Sequence, residues 1–206
     1  MKISVALCTY NGDKYLSKQI DSILKQQNYS VDEIIVCDDK STDDTLKILA
    51  NYKDLHPTIF KIHSNKINLG STKNFEKAIT LCSGDYIFLS DQDDIWKKDK
   101  IQKTLAIFDK NPTAEGVFSD ANFIDNNHNQ ISSGTIWESV FFLEKELPKP
   151  IDFFDLISKN GNVVTGATLC IKRNVKDFVF PLLEGVLHDE SIAITLALRN
   201  TLFYSN

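Results

Sequence analysis

Long apolar runs are missing from this sequence. None of its 206 residues falls in a stretch approaching the roughly 18 apolar residues that a membrane-spanning helix needs. The start does not read as a signal peptide: Lys2 is basic, but Tyr10, Asn11, Gly12 and Asp13 cut the apolar run short. An excess of positive charge is missing too. Lys and Arg number 23 against 28 Asp and Glu, a net charge of -5, which argues against a general nucleic-acid surface. The four cysteines, Cys8, Cys37, Cys82 and Cys170, show no CxxC and no His/Cys metal spacing. Each sits in or beside an apolar run, so they read as small buried residues in a reducing compartment. There is no internal repeat and no low-complexity tract. What is present is ordinary for a globular chain, 42% hydrophobic and 25% charged. The length suits one domain with a real core.

The first ~110 residues alternate short apolar runs with amphipathic stretches. Residues 2–8 form a β-branched run that ends in the turn residues Thr9, Tyr10, Asn11 and Gly12. Leu16, Ile20, Ile23 and Leu24 then share a helical face. Residues 33–37 read as a second strand stopping at Asp38-Asp39. Ser41 or Thr42 is placed to cap a helix whose core face is Leu46, Leu49 and Ala50. Residues 59–62 give a weaker strand. Ser71 is placed to cap a third helix carrying Phe75, Ala78, Ile79 and Cys82. Residues 86–89 form a fourth strand running into Asp91-Gln92-Asp93-Asp94, and a helix with Ile101, Leu105 and Phe108 inward follows. Strand–helix alternation predicts an α/β fold, a Rossmann-like, mostly parallel sheet with helices on both faces. Parallel crossovers bring every strand's carboxyl end to one edge, where ligands of open α/β sheets bind. Three polar groups therefore converge there: Thr9-Tyr10-Asn11, Asp38-Asp39 and the acidic cluster.

The second half is less regular. Residues 116–124 suggest a strand pair or a bent strand, and 126–129 a turn. Residues 141–157 are aromatic-rich and broken by Pro148 and Pro150. Residues 163–171 read as a strand containing Gly166, and 190–198 as a buried helix, apolar almost all round. Leu202-Phe203-Tyr204 looks like the opening of a further element, so more chain is expected beyond it.

Each candidate site residue has a bland reading beside it. Three carboxylates in four residues repel unless a cation or water neutralises them. Mg²⁺ takes carboxylates plus substrate phosphates with few protein ligands, so Asp91, Asp93 and Asp94 at a strand end suit a metal–diphosphate site; a solvated acidic loop is the alternative. Asp39 can accept hydrogen bonds from a nucleoside, or serve a turn. The helix after Asn68-Leu69-Gly70, with Lys73, can face a diphosphate, or follow a plain capped loop. Asp189 in His188-Asp189-Glu190 is either a helix N-cap or a general base. Lys97, Lys98, Lys100 and Lys103 read as a solvated helix face, with contact to an anionic lipid surface or a phosphate as the alternative. Phe141, Phe142, Phe153 and Phe154 are expected to border an acceptor cleft or else to pack a core.

The stretches ISVALCTYNGDKYLSKQIDSIL, DEIIVCDDKSTDDT, NLGSTKNFEKA and GDYIFLSDQDDIW resemble glycosyltransferase family 2, in order and over nearly the whole chain. With VVTGATLCIKR and HDESIAITLAL they resemble its bacterial rhamnosyltransferase-like branch. The resemblance implies a single GT-A domain over residues 1–206, with a nucleotide-sugar half at about 1–110 and an acceptor half at about 111–206. It implies inverting transfer from a dTDP- or UDP-linked sugar, with Mg²⁺ or Mn²⁺, to a glycan or lipid-linked glycan in polysaccharide or cell-surface glycan synthesis. Carried over, Thr9, Tyr10, Asn11 and Asp39 would meet the nucleoside. Asp91 would touch the ribose or the metal shell, Asp93 would ligate the metal, and Asp189 would be the base. The implied place is the cytoplasm, at the inner face of the membrane. Two positions depart from that branch: Lys40 stands where glycine is frequent, and Glu190 and Ser191 follow the His-Asp pair where tryptophan is frequent. The rival readings are a nucleotidyltransferase and a non-catalytic nucleotide-sugar-binding domain. A nucleotidyltransferase would bring a Gly-rich basic phosphate loop near the first strand, where this chain has only Gly12 and no Arg.

Overall fold

The computed structural model describes residues 1–140, 142 and 149–205. Strand β1 (Ile3–Thr9) is buried at every position, as is β2 (Glu33–Asp38). Burial without alternation means both faces are covered, the condition of a parallel sheet between helices. Helix α1 (Leu16–Leu24) joins them and buries Leu16, Gln19, Ile20 and Ile23. Helix α2 (Thr45–Leu55) leads to β3 (Phe60–Ser64), where only Phe60 is fully buried because the strand lies at the sheet edge. Helix α3 (Ser71–Leu81), β4 (Tyr86–Ser90) and α4 (Lys100–Lys110) complete the alternating part.

Beyond it come β5 (Gly116–Ser119) and an antiparallel hairpin of β6 (Asn122–Ile124) and β7 (Gln130–Thr135). The hairpin turn is closed by Asp125 N–H donating to the Asn129 carbonyl at 2.9 Å. Helix α5 (Ile136–Ser139) starts in a capping box made by Thr135 and Glu138. Helix α6 (Phe153–Asn160), a 3-10 turn at Gly166–Thr168, β8 (Cys170–Lys172), α7 (Lys176–Val179), α8 (His188–Leu198) and β9 (Leu202–Ser205) follow.

The seven-stranded sheet has the order β3-β2-β1-β4-β8-β5-β9. Strands β1 to β4 are parallel neighbours, β8 runs antiparallel to both β4 and β5, and β9 is parallel to β5. The register sets Thr9 beside Asp38 and Leu7 beside Ser90, so the first, second and fourth strands end close together. One core face packs α3 and α8 through Phe75, Ile79, Ile192 and Leu196. The other packs α1 and α4 through Leu16, Ile20, Ile101 and Phe108. All four cysteines are buried and free, as their apolar settings predict.

Several sequence expectations need correction. Neither Ser41 nor Thr42 caps α2: its N-cap is Asp44, and Ser41 is bonded to Asp38 instead. The core face of α2 is Thr45 and Leu49, while Leu46 and Ala50 are exposed. Ser71 is the first helical residue of α3, and the cap is Gly70 at φ 78°. Residues 116–124 are two strands in different sheets. Residues 163–171 are not one strand, because the 3-10 turn interrupts them before Cys170.

Candidate functional site

Three loops at the carboxyl edge of the sheet are stitched together by side-chain and backbone hydrogen bonds. At the end of β1, Thr9 donates its hydroxyl to Asp38 at 3.0 Å, and the Asp39 N–H donates to the Thr9 carbonyl at 2.8 Å. Asn11, at φ 49°, accepts from the Thr42 N–H at 2.8 Å, and its own N–H donates to Ser41 at 2.9 Å. Gln92 of the acidic loop reaches back to β1. Its amide accepts from the Tyr10 N–H at 2.8 Å and donates to the Tyr10 carbonyl at 3.0 Å. This clamp explains Gly12, since a Cβ there would stand 2.1 Å from Gln92 Oε1. Tyr10 keeps half its surface exposed. Gln92 was not singled out from the sequence, although it lies inside the quoted acidic motif.

Asp39 is buried, and its carboxylate accepts from the Leu69 N–H (2.8 Å), the Asn65 side chain (2.8 Å) and the Gly70 N–H (2.9 Å). It thereby fixes the loop before α3 and has about one of its roughly four acceptor positions left over. Lys73, in the first turn of α3, is paired with Glu76 at 3.1 Å.

In the acidic loop Asp93 is exposed, while Asp91 and Asp94 are half-buried. Burial, then the charges of Asp94, Asp93 and Asp189, push the Asp91 carboxyl up to about 7, against the pull of Lys100. Burial and Asp93 also raise Asp94. Among the described residues no three His, Cys, Asp or Glu side chains gather closely enough to hold a metal by themselves.

Asp189 is the second residue of α8, whose N-cap is Leu187, so it is not the cap. It is 8% exposed. Its Oδ2 accepts from the Gly166 N–H and its Oδ1 from the Glu190 N–H, both at 2.8 Å. His188 beside it stacks on Phe75 with ring centres 3.7 Å apart and 12° between planes. Gly166 is pressed to the same imidazole, for a Cβ there would lie 2.4 Å from Nε2. Burial pulls the His188 pKa down to about 4 despite the Asp189 charge, so the ring is neutral at physiological pH.

Lys100 corrects the reading of a solvated lysine face. Lys97, Lys98 and Lys103 are exposed, but Lys100 is half-buried, donates to the Ala167 carbonyl at 2.6 Å and lies 4.7 Å above the Trp96 ring. It lines a cleft of about 870 Å³ between the acidic loop with α4 and the β6–β7 hairpin with α5, on the same sheet edge. Of the four phenylalanines expected at an acceptor cleft, Phe142 lines it. Phe153 lines a separate hollow with Tyr204, Phe154 is exposed, and Phe141 lies outside the described residues.

The glycosyl transferase family 2 profile matches residues 4–165. The chain belongs to glycosyltransferase family 2. It is similar to the dTDP-rhamnosyl transferase RfbG of Shigella flexneri, 37% identical over 126 residues, which is 59% of this chain and 40% of that enzyme. Among solved structures it is similar to S. aureus TarS 1-349 in complex with UDP-GlcNAc, with a TM-score of 0.71 at 21% identity over 100% of this chain and 56% of that one. It is also similar to the mannosyltransferase PcManGT from Pyrobaculum calidifontis in complex with GDP-Man and Mn2+, with a TM-score of 0.68 at 17% identity over 100% of this chain and 54% of that one. At such identities the likeness is one of fold, GT-A. This family 2 chain spans about half or less of the curated relatives it matches, from 19% to 54% of their lengths. No helix among its described residues is long and apolar enough to cross a membrane.

Proposed function

We propose that this chain carries out inverting, metal-dependent transfer of a sugar from a UDP- or dTDP-linked donor to an acceptor hydroxyl in bacterial glycan synthesis. The observation that supports this reading best is that Asp189, from α8, accepts from Gly166 in the very turn whose Ala167 and Thr168 line the same cleft as Asp94 of the acidic loop after β4. A base and a cation-seeking cluster thus share one edge of the sheet. Asp93 and Asp91 would hold Mg²⁺ or Mn²⁺ together with diphosphate oxygens. The residues fit such an ion, being hard oxygen donors, with the pKa of Asp91 raised by its burial and by the neighbouring carboxylates that a cation would neutralise. When bound, the metal supplies Lewis-acid stabilisation of the departing diphosphate.

The residues of the chain do the rest. Thr9, Tyr10, Asn11 and Asp39 would form the nucleoside floor, and Lys73, paired with Glu76 in the free protein, would turn to the diphosphate. Residues 1–110 act as the donor half and 111–206 as the acceptor half of one domain. The 870 Å³ cleft receives a glycan or lipid-linked glycan, and exposed Lys97 and Lys98 suit peripheral contact with an anionic inner membrane face. Asp189 takes the proton from the acceptor hydroxyl as its oxygen attacks the anomeric carbon opposite the diphosphate. The Gly166 N–H keeps that carboxylate oriented. The test is nucleotide release from UDP- and dTDP-sugars, with Mn²⁺ and with EDTA. Turnover should need the metal. Asp189→Asn should lower it by ~10²-fold or more while nucleotide affinity stays within a few-fold. Near-normal turnover of that variant would leave Asp189 a structural acceptor for Gly166.

A further inference from the structure

A lysine at the position of Lys100 faces two costs, and its stem gives no compensating advantage. It is the first residue of α4, so its ammonium meets the positive end of the helix. Burial pushes its pKa down to about 8, against the pull of Asp94 and Asp91. The four-methylene stem could be packed as well by an uncharged chain such as methionine. Against these costs stand the contacts of the ammonium itself. It donates to the Ala167 carbonyl at 2.6 Å and lies over the face of buried Trp96, two residues after Asp94.

Ala167 belongs to the 3-10 turn Gly166–Thr168. That turn is braced internally by the Thr168 N–H on the Thr165 carbonyl (2.9 Å) and the Leu169 N–H on the Gly166 carbonyl (3.0 Å). Its next residue back, Gly166, donates its N–H to Asp189 at 2.8 Å. A path therefore runs from Trp96, just after the acidic loop, through Lys100 to Ala167, and from Gly166 to Asp189. Its two polar links attach to adjoining residues of one short, rigid turn.

We propose that Lys100 is a positioning residue for the transfer step: by tethering the Gly166–Thr168 turn to α4 and Trp96, which directly follow the acidic loop, it sets the distance between the diphosphate site and the Asp189 carboxylate. This rests on the roles given above to Asp93 and Asp189. Lys100 touches neither reacting atom, and it acts through the turn. Displacements of about 1 Å in such a constellation cost up to ~10²-fold in rate, so one tether is enough to matter.

The experiment compares Lys100→Met, which keeps the stem, with Lys100→Arg, which keeps the charge and a donor. In the ligand-free protein, hydrogen exchange of the Gly166 amide should quicken by about tenfold or more in Lys100→Met and stay near wild type in Lys100→Arg. In turnover, Lys100→Met should lose about tenfold or more in kcat, with donor KM and Mn²⁺–UDP affinity within about threefold, and Lys100→Arg should recover most of the loss. Unchanged Gly166 exchange in Lys100→Met overturns the tether, and unchanged kcat overturns its role in positioning. A parallel loss of nucleotide affinity also overturns it, for Lys100 would then belong to the donor site. The exchange measurement needs no turnover, so it judges the tether even if sugar transfer itself fails to appear.

Discussion

Asp91 should make metal binding depend on pH in a window where ordinary aspartates are silent. Its carboxyl is pushed up to about 7 by burial and by Asp94, Asp93 and Asp189. A group titrating there is ionised in about a tenth of molecules at pH 6 and about nine tenths at pH 8. A cation that needs the carboxylate must displace the proton, so its affinity should rise about tenfold over those two units. The effect on the free protein has the opposite sign. The folded state holds this proton more tightly than the unfolded chain does. The contribution of Asp91 to stability is therefore complete below the ordinary value of 3.8 and is lost as pH rises towards 7. Melting temperature without metal should fall from pH 5 to 8, and Mn²⁺ with UDP should restore it. The assay is calorimetry of Mn²⁺–UDP binding at pH 6, 7 and 8, on wild type and Asp91→Asn. Titration of the nucleotide is common to both proteins, so the difference in slope belongs to Asp91. Equal slopes in the two proteins would refute the argument.

Glu33 should be a large single contributor to stability. Burial alone would raise its pKa, but bonds from Lys61, Ser4 and Ser83 hold the carboxyl far below the usual range; Glu33→Gln should cost about 2–4 kcal/mol in urea unfolding at pH 7, shrinking as pH falls below about 4.5, and a loss under ~1 kcal/mol would contradict this. Gly166→Ala should cost about 1–3 kcal/mol, because the new methyl meets an imidazole already stacked on Phe75. It should also lower kcat; a shift in stability under ~0.5 kcal/mol would show that the ring can move aside.

The site edge was legible in the sequence for a topological reason. Right-handed parallel crossovers leave no choice about which edge receives the ends of β1, β2 and β4, so Thr9, Asp38-Asp39 and the acidic loop had to meet. Lys40, in the sequence only a departure where the related branch frequently has glycine, takes φ 70°, in the left-handed region that glycine favours. Apart from Ser41, whose partner Asp38 lies three residues back, the misreadings share one cause, partners distant in sequence. Ser41 looked like a helix cap and was claimed by Asp38. Ser71 looked like another, yet the loop before α3 is held by Asp39, which takes the N–H groups of Leu69 and Gly70. Lys100 was indistinguishable from its solvated neighbours because its acceptor lies 67 residues away. Residues 163–171 had the composition of a strand, but the Gly166 N–H was needed by Asp189, and the backbone turned to offer it.

The insertion of β8 between β4 and β5 bears on how the chain is made. A ribosome releases β1 to β4 first, as a consecutive parallel unit with its helices. Strand β5 comes next but has no place beside β4. The seat there is taken by Cys170–Lys172, synthesised about 80 residues after β4. Until that segment emerges, the outer edge of β4 is an unpaired, apolar strand at the middle of the future sheet. Such an edge is an aggregation hazard, and closing it late makes a slow, non-local folding step. A fragment cut near residue 110 would thus carry the nucleotide-facing loops on a sheet with its interior exposed. The donor half can be named by its residues, but it is not a unit that folding would deliver alone.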